Sequence, residues 1–153
     1  MSGREITYRE TNDLRSTIEY FYYLEDETFH KEVHKKGGSI EENIKDTINS
    51  IAEKEQVFEI YVGDELAAFF TKFVHKNGVI MNSFHILKKY RGRYFIKRFW
   101  DIVRDELGEL YYTSICVKNL PAIAHLIKNG FVKINEVLSE GNKFVVLEKA
   151  HHD

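Results

Sequence analysis

Residues 79–107 constrain this chain more than any other stretch: an apolar run, a basic turn and a long amphipathic segment follow one another without a break. Residues 79–87 (Val-Ile-Met-Asn-Ser-Phe-His-Ile-Leu) are rich in β-branched and aromatic side chains and come directly after Asn77-Gly78, a turn signal. They read as one strand. Lys88, Lys89, Arg91 and Arg93 then crowd around a single glycine, Gly92. Beyond them Phe95, Ile96, Phe99, Trp100, Ile102, Val103 and Leu107 recur at helical spacing, and Gly108 supplies the stop. A strand that runs through a basic, glycine-bearing turn into a helix aims backbone N–H groups and a positive dipole end at one spot. Such a spot favours phosphate.

The other elements fall into order around this one. Residues 6–9 suit a short first strand, and Leu14, Ile18, Phe21 and Tyr22 mark one face of a helix capped by Thr11, Asn12 or Asp13. Residues 24–38 carry Glu25, Asp26, Glu27, His30 and His34 and read as a helix end and a loop. Ser39-Ile40-Glu41-Glu42 is a capping box, and Ile40, Ile44, Ile48 and Ile51 share one face of the helix after it. Residues 57–62 and 66–74 flank the Gly63-Asp64 turn as a hairpin. Residues 110–117 read as a strand. Asn119 caps a short helix with Pro121 in its first turn, Ala122, Ile123, Leu126 and Ile127 on its inner side, and Asn129-Gly130 at its end. Residues 131–138 and 143–147 form a last hairpin. The order β-α-α-β-β-β-α-β-α-β-β predicts an α/β fold, a central mixed sheet with helices on both faces. One domain over 1–150 is expected, with 151–153 as a tail.

Charge and cysteine usage narrow the function classes. The net charge of −2 gives no global attraction to nucleic acid or to an anionic membrane. Locally, Lys88, Lys89, Arg91, Arg93, Lys97 and Arg98 stand together with no acid among them. Cys116 is the only cysteine, which excludes an intrachain disulfide framework and fits a reducing compartment. No apolar run is long enough to span a bilayer, and Met1-Ser2-Gly3-Arg4-Glu5 is not a secretory start, so a cytoplasmic protein is expected.

With the basic turn in the middle, and Asn119 and Gly130-Phe131 near the end, the chain resembles the GNAT superfamily of acyl-CoA-dependent N-acetyltransferases. The family's first motif reads valine, any residue, proline, two residues, then Arg/Gln-x-x-Gly-x-Gly/Ala. Ile86 stands at its valine and Arg91 at its arginine, while Gly92 and Arg93 match common filler residues. The resemblance implies that strand backbone around Ile86 and Leu87 pairs with the pantetheine arm of acetyl-CoA. It also implies that the turn formed by Arg91, Gly92, Arg93, Tyr94, Phe95 and Ile96 holds the pyrophosphate, with Asn119 contributing to the cofactor site. The motif's two glycines fall on Tyr94 and Ile96. Glycine there lets backbone approach phosphate, so the Tyr94 ring either swings out or fills the site. The second motif is kept in Asn119-Leu120-Pro121-Ala122-Ile123 and Lys128-Asn129-Gly130-Phe131. The tyrosine that many members use to protonate the departing thiolate corresponds to Leu126, with His125 beside it but rotated by about 100°.

The implied reaction is acetyl transfer from acetyl-CoA to a primary amine, on a small molecule or a protein, by direct attack. It needs a neutral amine at the carbonyl, donors for the oxyanion and an acid for the thiolate. His85, on the central strand, is the candidate base because imidazole titrates near neutral pH; the plainer reading is a packed strand histidine. Tyr111, Tyr112 and Ser114 are candidate proton donors, set against the frequency of tyrosine in sheets. Cys116 reads as a small core residue. His30 and His34 lie four apart, but Lys31 stands where a zinc-protease helix carries glutamate and no third ligand is in view, so no metal is expected. No membrane partner is expected, and a homodimer is compatible with the reading. The alternative is a GNAT-fold protein without efficient CoA binding, acting as a protein- or nucleic-acid-interaction module. On that reading the basic turn with Tyr90 and Tyr94 would hold a strand by charge and stacking.

Overall fold

The computed structural model describes residues 5–24, 42, 45, 48, 49, 55–76, 78–139 and 141–150, with backbone alone for 22–24. The capping box at Ser39, the acidic cluster at Glu25, Asp26 and Glu27, His30, His34 and the tail at 151–153 lie outside these residues. Of the helix predicted over 40–51, Glu42, Lys45, Ile48 and Asn49 are described and are helical.

The elements are β1 (Ile6–Thr11), α1 (Leu14–Leu24), β2 (Gln56–Val62), β3 (Glu65–His75), β4 (Gly78–Ile80), β5 (Phe84–Ile86), α2 (Arg93–Leu107), β6 (Leu110–Cys116), α3 (Leu120–Lys128), β7 (Val132–Ser139) and β8 (Asn142–Ala150). One mixed sheet has the order β1-β2-β3-β4-β6-β8-β7, with β5 joined to β3. All its pairings are antiparallel except β4 with β6. Asp13, not Thr11 or Asn12, caps α1, its Oδ1 accepting the Ser16 N–H at 3.1 Å.

Helices cover both faces, as the continuous burial along β2 and β3 requires. On one face Ile18 and Phe21 of α1 pack on Val57, Leu66, Phe69 and Leu87. On the other, Phe95, Phe99, Trp100, Ile102, Val103 and Leu107 of α2 join Phe58, Ile60, Phe70, Tyr111, Leu126 and Leu147 in the larger core. Phe58 and Phe70 stack across β2 and β3 with ring centroids 5.0 Å apart. In α3 the predicted inner face is partly wrong: Leu126 is wholly buried, but Ile127 points to solvent.

The single strand expected over 79–87 is two strands. Phe73 pairs with Ile80, and Phe70 pairs with Phe84. Residues 81–83 therefore oppose only 71 and 72 on β3, which is a β-bulge. A bulge bends its strand and raises the local twist. The buried Thr71 fixes it, its N–H donating to the Ser83 carbonyl and the Ser83 N–H donating to its Oγ1, each at 3.0 Å. The polar pair Asn82-Ser83 falls at the bulge, but polar residues interrupt many continuous strands, so it does not by itself mark an extra residue.

Candidate active site

Below the bulge β4 and β6 are joined; above it β5 and β6 part. The parallel contact is the pair Ile80 and Tyr112, supported by the Met81 N–H donating to the Tyr112 carbonyl at 2.8 Å. The Thr113 hydroxyl adds a bond to the Met81 carbonyl at 2.7 Å. Past this point β5 pairs only with β3, while Ile115 and Cys116 of β6 pair with Val145 and Phe144 of β8. Two parallel strands thus splay, and a wedge opens between them.

The edge of β5 that faces the wedge has no strand partner. Leu87 N–H donates to the Ala67 carbonyl at 2.9 Å, and Ser83 accepts from Thr71. Bonded pairs alternate along an antiparallel ladder. His85 therefore bonds to β3 as Ser83 and Leu87 do, and the N–H and C=O groups of Phe84 and Ile86 turn toward the wedge. Arg91 confirms this direction by donating its Nε–H to the Ile86 carbonyl at 2.8 Å.

At the upper end of this edge, Lys88–Tyr90 forms one 3₁₀ turn that delivers the chain to α2. Gly92 is the N-cap, with φ −78° and ψ 162°, and no side chain caps the helix. Ile96 N–H makes the first helical bond, to the Gly92 carbonyl at 3.0 Å. The N–H groups of Arg93, Tyr94 and Phe95 therefore have no acceptor within the helix. The space around them is open: a Cβ on Gly92 would meet nothing within 4 Å. Tyr94 is 70% exposed, so its ring has swung out, whereas Phe95 and Ile96 turn into the core. The basic run is partly engaged in local pairs. Lys89 reaches Glu65 at 2.5 Å, Tyr90 donates to the same carboxylate, and Lys97 pairs with Asp101 at 3.1 Å.

The sequence-predicted chemical residues divide between the faces of the sheet. His85 shares a face with Phe69, its register partner, and meets Phe21 of α1 edge-on at 5.4 Å; it is 8% exposed. Tyr112 faces the same way through Ile80 and Phe73, and Ser114, two residues on, follows it and is exposed. Tyr111 lies on the opposite face inside the core, against Phe131 at 5.7 Å, and burial pushes its hydroxyl pKa up. Asn119 uses its Oδ1 to accept the Ala122 N–H at 3.3 Å and cap α3.

A second imidazole stands at the wedge. His125 stacks on Phe84 at 6.4 Å, and its Nε2 accepts the Trp100 Nε1–H at 3.3 Å. Burial, then Arg91, then Lys128 depress its pKa. Its sequence signal was only a neighbouring one, adjacent to the position of the family tyrosine. Leu126 at that position is fully buried in the core.

The fold recurs among solved proteins, and those it superposes on include acetyltransferases. An acetyltransferase from Thermus thermophilus superposes with a TM-score of 0.71 at 11% identity, over 99% of this chain and 100% of that one. The chain has the GNAT acetyltransferase fold. A GNAT-family acetyltransferase from Bacillus cereus ATCC 10987 gives 0.63 at 13% identity, over 99% and 100%. The spermidine N-acetyltransferase of Vibrio cholerae, solved with CoA and spermine, gives 0.59 at 15% identity, over 95% of each chain. No protein-family model and no curated protein sequence matches the chain. Among the described residues, no helix is long and apolar enough to cross a membrane.

Proposed function

We propose that this GNAT-fold protein is an N-acetyltransferase that moves an acetyl group from acetyl-CoA to a primary amine. The observation that carries the reading is the wedge itself: a β5 edge at Phe84 and Ile86 with no strand partner, which leads directly to the uncapped N-terminus of α2. An extended pantetheine arm carries amide groups that suit such an edge. The pyrophosphate it ends in suits three convergent N–H groups and Arg91. The acetyl group would then lie near the bulge, with His85, Tyr112 and Ser114 on one face of the sheet as the polar groups available to an incoming amine. The bound CoA and spermine of the Vibrio cholerae neighbour make a small polyamine the first acceptor to test, before a protein amine.

The exposed ring of Tyr94 supports the transferase reading over a non-catalytic interaction module, and the pairing of Lys89 and Lys97 weakens a nucleic-acid surface. Titration with acetyl-CoA, followed by calorimetry and thermal unfolding, separates the two. A ligand held at a hundred times its Kd stabilises the native state by about 2.7 kcal/mol. A clear rise in Tm with acetyl-CoA and none with acetate is expected. A flat response at millimolar acetyl-CoA would favour the interaction module.

A further inference from the structure

His125 is the group in the wedge that the family pattern leaves without a role. Its surroundings define both its tautomer and its direction. Trp100 Nε1–H can only donate, so His125 Nε2 must accept, and the ring proton of the neutral imidazole resides on Nδ1. Among the described residues no acceptor is bonded to Nδ1. Two contacts hold the ring plane, Phe84 at 6.4 Å and 29° and Trp100 at 5.8 Å and 36°. The charged groups that act on it are Arg91, from the turn before α2, and Lys128, on its own helix. Together with burial they keep the ring uncharged, so it is a fixed N–H donor rather than an acid that shuttles protons.

The direction of the β5 edge says what that donor would meet. Ile86 is the end nearer α2 and carries Arg91; Phe84 is the far end and carries His125. An arm anchored by its phosphates at α2 and laid along this edge passes Ile86 first and brings its thioester to Phe84. We propose that His125, oriented by Trp100, meets the leaving sulfur of the thioester and hydrogen-bonds it through Nδ1–H as the C–S bond breaks. This rests on the acetyl-CoA reading above. The amine lone pair forms the N–C bond, the C–S pair departs on sulfur, and the Nδ1–H bond stabilises that charge. The proton lost by the amine nitrogen leaves on the His85 side of the sheet, to that imidazole or to water, and the thiolate takes one up from solvent on release. His125 keeps its own proton throughout. Trp100 acts as a positioning residue.

The probe is CoA itself, compared with desulfo-CoA, which lacks the thiol. Calorimetry from pH 6.5 to 9.5 yields the ratio of their affinities, cancelling phosphate and protein titrations common to both. A donor at the sulfur lowers the pKa of the bound thiol below that of the thiol in free CoA. A fall of one unit raises the ratio several-fold over that range, toward a limit of about tenfold above the free thiol's pKa. This rise is expected in the wild type and in His125→Asn, whose amide N–H replaces Nδ1–H. It should vanish in His125→Gln, whose amide overlays Nε2 and serves only Trp100. Emission of Trp100, the sole tryptophan, checks that the pocket is intact in each variant. A flat ratio in wild type that binds CoA, or a rise that survives His125→Gln, would overturn the assignment while leaving the transferase reading standing. Failure of wild type to bind CoA at all would overturn both.

Discussion

Two residues carry the chemistry that is easiest to test one side chain at a time. Tyr94 replaces a glycine of the family motif, yet its ring is 70% exposed and the helix-end N–H groups beside it stay open. Tyr94→Gly should leave acetyl-CoA affinity within about twofold, since no contact is removed from the anion. It should cost about 0.5 kcal/mol of stability or less through helix propensity. Calorimetry and denaturant unfolding read the two effects separately, and a large gain in affinity would mean that the ring obstructs the site after all. His85 is held by Phe21 on the α1 face, opposite the face of Phe84 and His125. If it accepts the amine proton, His85→Gln should lower turnover at neutral pH by roughly a hundredfold or more, with acetyl-CoA affinity little changed. Unaltered turnover would leave His85 as a packing residue and turn attention to water and Tyr112.

At the scale of elements, the site depends on where strands stop pairing. β4 keeps one parallel contact to β6, and the bulge at 81–83 then swings β5 out of reach. Gly78 makes the short contact feasible. It sits at φ +145°, and a Cβ there would lie 2.9 Å from the Tyr112 ring. Gly78→Ala must therefore strain the backbone and push Tyr112 from its place next to Ile80. A loss of about 1–3 kcal/mol is expected, as for overpacking elsewhere, measured by urea unfolding. Because Tyr112 borders the wedge, the rate with a good amine acceptor should fall as well. A stable variant with unchanged kinetics would show that β6 can slide past the insertion without cost. The uncapped start of α2 is an element-scale property too. Gly92 brings no side chain to the first-turn N–H groups, so a ligand or water must satisfy them.

Over the whole molecule, a buried neutral imidazole ties stability to pH. The His125 pKa is depressed below its ordinary 6.5, so on acidification the unfolded chain takes up that proton before the native state does. Its contribution is thus fully present above about pH 7 and drains away as pH falls through the ordinary histidine range. Denaturant unfolding between pH 7.5 and 5 should show this loss, and His125→Asn should flatten part of it; an identical slope in the variant would assign the loss to other groups. Apart from the division of the strand over 79–87, the order of elements after residue 55 was legible in the sequence, because amphipathic periods of two and 3.6 residues, the Gly63 and Gly130 turns and the Asn119 cap are local signals. So was the strand-turn-helix junction at Ile86, Arg91 and Gly92, which local signals set whatever packs around it. Three things were decided only by tertiary contacts. The extra residue at 81–83 is defined by the partner strand, Thr71 and Phe70, rather than by its own apolar run. The orientation of the Tyr94 ring follows from the core taking Phe95 and Ile96 on either side of α2's first turn. The placing of His125 at the wedge needs Trp100, 25 residues away in sequence, to supply the one donor that fixes its ring. A histidine's role depends on which of its two nitrogens is occupied, and that depends on a neighbour brought near only by folding.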